Sequence, residues 1–66
     1  MKEDYITRVE EEKEELRQKI AKLRTFIESD KFIEFEDKHY TDLMESQLWY
    51  MQEYYNILTL RLDILN

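Results

Sequence analysis

The 66-residue chain contains no glycine, no proline and no cysteine. Without cysteine there is no disulfide framework and no thiolate metal site. Without glycine and proline there are no hairpin turns of the Asn-Gly type, no phosphate-cradling glycine loops and no proline-broken segments. Histidine occurs once, at His39, so neither a Cys–His pair nor a histidine-rich metal site can be assembled. Ser29 and Ser46 have no histidine on their helix face, and no residue set fills the nucleophile, base and oxyanion roles together. An enzyme is therefore not expected. No segment approaches the ~18 apolar residues needed to span a bilayer.

What is present is helix-forming. Charged residues make up 39% of the chain and hydrophobic ones 42%, too many of the latter for a disordered acidic tail. Sixteen acidic and ten basic residues give a net charge of −6. That balance opposes binding to DNA or RNA backbones and to anionic membrane surfaces. The start, Met1-Lys2-Glu3-Asp4, lacks the basic and apolar stretches of a signal peptide, and a cytoplasmic protein is expected.

Apolar residues fall at alternating spacings of three and four through Ile6, Val9, Leu16, Ile20, Leu23 and Ile27, a heptad seam interrupted by Lys13. Acidic residues lead and basic ones follow, as the helix dipole favours. This predicts a first helix over about 2–29. Ser29 and Asp30 mark a helix end or N-cap, and Phe32, Ile33 and Phe35 predict a short helical corner over about 30–38. A second seam, Met44, Leu48, Met51, Tyr55, Leu58, Leu62 and Leu65, predicts a helix over about 39–65. At ~42 and ~40 Å the helices match as an antiparallel hairpin, giving one all-α domain over 1–66. A parallel row, Leu43, Tyr50, Ile57 and Ile64, widens the apolar face beyond the roughly 100° that one partner helix covers. The surplus predicts a homo-oligomeric helical bundle with the second helix at its centre. Its interface residues would be Trp49, Tyr50, Met51, Tyr55, Leu58 and Leu62; Trp and Tyr dominate interface hot spots. A docking face for a foreign protein is the other use of such aromatics.

Glu36 and His39 stand at the Glu-x-x-His spacing of carboxylate-bridged di-metal bundles. The inward glutamates that such sites require are missing, so no metal and no cofactor is expected. A third sevenfold row on the second helix, Tyr40, Gln47, Tyr54 and Arg61, is polar and aromatic. In an antiparallel hairpin it brings Arg61 near Glu10 and Lys13, and Tyr54 near Arg17. Tyrosine stacks bases, an amide reads base edges and basic groups hold phosphates. Lys13, Arg17, Gln47, Tyr54 and Arg61 are thus candidate ligand-binding residues. The same spacing equally describes an interface rim in which Arg61 pairs with Glu10 or Glu14 and Lys13 snorkels outward. The acidic surface also suggests a nucleic-acid mimic, but Lys13 interrupts the Glu10–Glu15 run.

The pattern Tyr5-x-x-Arg8-Val9-x-x-Glu12-Lys13-x-Glu15-Leu16-x-x-Lys19-Ile20-x-Lys22-Leu23-x-x-Phe26-Ile27, the corner Ser29-Asp30-Lys31-Phe32, and the later Gln47-Leu48-x-x-Met51-x-x-Tyr54 and Ile57-Leu58-x-x-Arg61 together resemble a family of very short tailed-phage proteins related to an orphan protein of crAss-like phages. The resemblance covers nearly the whole chain. It implies a phage gene product acting in the bacterial host cytoplasm. By fold-level analogy, small helical-hairpin phage proteins include oligomeric sponges that sequester cyclic or ADP-ribose-type nucleotide immune signals. The expected function is accordingly a non-enzymatic anti-defence sponge. The alternative is a helical module that binds, and inhibits or adapts, a host protein.

Overall fold

A computed structural model of the chain describes backbone from residue 2 and side chains from residue 4 onward; the residues at the very start, read for a leader, otherwise lie outside it. Helix α1 spans Lys2–Ile27, α2 spans Asp30–Ile33 and α3 spans Lys38–Leu65. The long helices lie antiparallel along a molecule measuring 49 × 15 × 13 Å. Among the described residues there is no strand, and no helix is long and apolar enough to cross a membrane.

Among the described residues none has positive φ, so the chain reverses without a left-handed residue, which suits a sequence without glycine. Ser29 takes extended φ/ψ ahead of α2, but its hydroxyl donates to the Phe26 carbonyl at 2.5 Å instead of capping α2. Asp37 caps α3 in the usual sense, its side chain accepting from the Tyr40 amide at 3.2 Å. Four aromatics close the corner: Phe26 meets Phe32 and Phe35 edge-on, with ring centroids 6.3 and 6.2 Å apart, and Phe35 stacks on Tyr40 at 5.3 Å. Ile33, one of the three apolar residues that predict the corner, points outward. A four-residue helix has only one inner side, and Phe32 occupies it.

The core is a single seam. Val9, Leu16 and Ile20 of α1 pack on Leu58 and Leu62 of α3, and among the described residues only Leu58 is wholly without solvent exposure. Ile6, Leu48, Met51, Tyr55 and Leu65 lean on this seam while remaining partly exposed. Of the residues expected at a subunit interface, Leu58 and Leu62 are therefore spent inside the hairpin, whereas Trp49 and Tyr50 remain exposed on α3. Five buried side chains make a small core for a domain of this size.

Candidate functional site

Lys13 sits in the α1 seam where an aliphatic residue belongs. Burying a charged head there without a partner is costly. The structure supplies a partner from α3: the Lys13 ammonium lies over the Tyr55 ring, 5.1 Å from its centroid. Such a contact contributes about 0.5–1 kcal/mol at a partly exposed site. One turn on, Arg17 receives Glu14 in a two-pronged pair, its Nη2 and Nε donating to the carboxylate at 2.6 and 2.8 Å. These hydrogen bonds hold the Glu14 carboxyl below its ordinary pKa, with the Arg17 charge acting in the same direction. Reciprocally, the Glu14 hydrogen bonds hold the Arg17 guanidinium more firmly protonated, and the proximity of Tyr55 adds to this.

Beyond Arg17 a groove of about 490 Å³ opens between the long helices. Arg17 and Arg24 form its α1 wall, with Ile20 at the floor. Its α3 wall carries Trp49, Gln52, Glu53, Tyr55 and Asn56. The seven-residue spacing from Arg17 to Arg24 puts both guanidinium groups on one side of α1. Trp49, Gln52 and Asn56, at i, i+3 and i+7, share one edge of α3 by the same rule. Among the described residues Glu14–Arg17 is the one side-chain ion pair, so Arg24 faces the groove without a carboxylate partner. A smaller hollow of about 280 Å³, lined by Glu10, Lys13, Glu14, Tyr55 and Leu62, continues toward the open end of the hairpin, and Tyr55 divides the two. Cations, flat rings, amides and the Glu53 carboxylate thus face one another across a concave surface.

The five candidate ligand residues do not converge within one hairpin. Lys13 and Arg17 belong to this grooved side. At roughly 100° per residue, Gln47, Tyr54 and Arg61 fall on the opposite edge of α3 from Gln52 and Asn56. Arg61 lies beside neither Glu10 nor Lys13: its Nη2 donates to the Tyr5 hydroxyl at 2.8 Å, and its guanidinium stands 5.9 Å from that ring's centroid. It borders only a shallow hollow of about 140 Å³ with Tyr5, Ile64 and Leu65. Gln47 contacts the Met51 sulfur at 3.8 Å. Tyr55, not Tyr54, faces Lys13 and Arg17. The reason is register: Leu58 and Leu62 seat against Val9 and Leu16, and this slides Arg61 toward the start of α1.

Sequence reasoning passed over Arg24, Gln52 and Asn56. The sevenfold spacings Arg17–Arg24 and Trp49–Asn56 were the available signals. His39 stands in the first turn of α3, and no group of three or more potential ligands that could hold a metal occurs among the described residues.

A family model described as Sequestin matches residues 3–64. No curated protein and no solved structure matches the chain. The match spans all but the first two and last two residues, and the chain belongs to the Sequestin family.

Proposed function

We propose that this Sequestin-family chain is a binding protein without catalytic activity, a phage anti-defence sponge that sequesters a nucleotide immune signal in the host cytoplasm and works as a homo-oligomer. The family's name denotes sequestration, which accords with binding rather than turnover. The observation that carries the ligand class is the groove in which Arg17 and Arg24 face Trp49 and Tyr55. Guanidinium groups hold phosphates by paired hydrogen bonds, aromatic faces stack bases, and the amides of Gln52 and Asn56 suit base edges or ribose hydroxyls. Lys13 extends the cationic side past Tyr55. A ligand of cyclic-nucleotide or ADP-ribose type combines these features at a size the groove accommodates. Gln47, Tyr54 and Arg61 act in this reading as the rim of a protein interface.

The test is native mass spectrometry of the protein expressed in a defence-active bacterial host, followed by release of any retained small molecule on heating. The expected result is an increment of several hundred daltons at a fixed ratio to subunits, lost in an Arg17→Ala plus Arg24→Ala variant that remains helical. Full retention in that variant would move the site elsewhere. Absence of any increment, with host proteins captured instead, would favour the alternative of a module binding a host protein, for which the exposed aromatic surface of α3 is the supporting observation.

A further inference from the structure

The groove contains one group that does not suit a plain anion trap. Glu53 faces the same space as Arg17 and Arg24. Among the described residues it pairs with neither; Glu14–Arg17 is the one ion pair. With Glu14 included, two carboxylates stand against two guanidinium groups, so this part of the surface carries no net positive charge. A polyphosphate would meet repulsion on the Glu53 side. An open anionic acceptor beside cations calls for a ligand that brings hydrogen-bond donors together with its phosphate.

Position narrows the kind of donor. Trp49 and Glu53 stand at i and i+4 and share one edge of α3. The contacts Lys13–Tyr55 and Tyr5–Arg61 set the register of the long helices. In that register Arg24 lies toward the corner from Trp49, and Glu53 lies one turn the other way, just past the level of Arg17. Trp49 and Glu53 are ~6 Å apart along the helix axis, about the step from the middle of a base to its sugar. A base stacked on Trp49 therefore has its ribose beside Glu53. The 2′- and 3′-hydroxyls leave the sugar on a different side from the 5′-phosphate, just as Glu53 and Arg17 stand on opposite walls. A carboxylate can accept from both hydroxyls at once, one on each oxygen, the chemistry by which acidic residues hold ribose in dinucleotide folds.

We infer that Glu53 is a specificity-determining residue: it accepts hydrogen bonds from the free ribose hydroxyls of the bound nucleotide and repels nucleotides phosphorylated there. The inference rests on the nucleotide reading of the groove and adds to it a demand for an open ribose diol.

Three probes isolate this role: AMP, its 2′-deoxy analogue and adenosine 2′,5′-bisphosphate, each titrated into the full chain and followed by backbone-amide NMR shifts. The chain is expected to bind AMP about tenfold more tightly than either of the others, the worth of a hydrogen bond to a charged group. The bisphosphate is the sharper probe, since a second phosphate strengthens binding to a merely basic groove. In Glu53→Gln, which keeps the side chain's shape, AMP should weaken several-fold and the bisphosphate should tighten, so that their order reverses. Asp63→Asn removes the same charge from an exposed position near the end of α3 and should leave the order unchanged. Where Arg17→Ala plus Arg24→Ala abolishes AMP binding, either of two results overturns the role of Glu53 alone: a bisphosphate that binds the unaltered chain as well as AMP does, or an order that persists in Glu53→Gln. No binding of AMP at ~10 mM, well above millimolar dissociation constants, or binding indifferent to both arginines, overturns the nucleotide reading and this inference together.

Discussion

The two edges of α3 solve the same problem in different ways. Each borders a seam only one side chain thick. The edge toward Arg17 and Arg24 is covered by long polar side chains reaching over aromatics: Lys13 on Tyr55, and Arg17 held by Glu14. The edge bearing Tyr50, Ile57 and Ile64 stays exposed, with the Tyr5–Arg61 contact at one end. The first arrangement leaves a concave, mixed surface suited to a small charged ring compound. The second leaves a flat apolar strip suited to another helix. One helix thereby presents two surfaces of different chemistry, and the divider between them is the row from Leu48 through Leu58 to Leu62 that holds the hairpin together.

Removing the divider should abolish the distinction. Leu58→Ala deletes the one fully buried side chain, a change that costs about 2–5 kcal/mol. That is comparable to the ~3–5 kcal/mol a core of this size supplies. Circular dichroism should show the helices largely melted at low concentration, with groove and strip lost together; a fully helical Leu58→Ala chain under those conditions would mean that stability resides elsewhere. A milder change should separate the edges. Arg61→Ala removes a rim contact worth less than about 1 kcal/mol. It should weaken self-association several-fold and leave ligand retention intact, read in one native mass spectrum. Loss of retained ligand would instead return Arg61 to the binding site.

The smallest effect concerns pH. Glu14 has a folded-state pKa below its ordinary value, so its pair with Arg17 stabilises the native state above the ordinary carboxylate range and ceases to do so as pH falls through the lowered value. Both groups are exposed and solvent screens them, so the change in melting temperature should be slight. Glu14→Gln should remove that acid-side slope and, by freeing Arg17, raise anion affinity at the groove without altering association through the strip. Unchanged anion affinity would indicate that Glu14 does not compete for the guanidinium fork.

Much of this architecture is legible in the residues. Spacings of three and four name the seam, and the absence of helix breakers sets the helix lengths. Ser29 marks the helix boundary, whereas the Asp37 cap of α3 emerges only from the structure. The site is less legible because it depends on register and phase. Arg61 and Tyr54 fit a ligand row in one dimension, yet sliding α3 by about one turn gives Arg61 to Tyr5 and brings Tyr55 to Lys13. Heptad spacing fixes which residues share a helix edge. It leaves open which turn of one helix lies opposite which turn of the other, and that is settled by how Leu58 and Leu62 fit among Val9, Leu16 and Ile20. Arg24 is inconspicuous in the sequence for the same reason: its place in the site comes from facing Trp49 and Gln52 across the groove.

Trp49 lines the groove and also meets Tyr50 of the strip edge-on, with centroids 5.0 Å apart. It is the chain's only tryptophan. A ring stacked in the groove would quench its emission, whereas covering Tyr50 would shift its spectrum by displacing water. The chain thus contains its own optical reporter where its two surfaces join, and one fluorescence titration can follow both events without any added label.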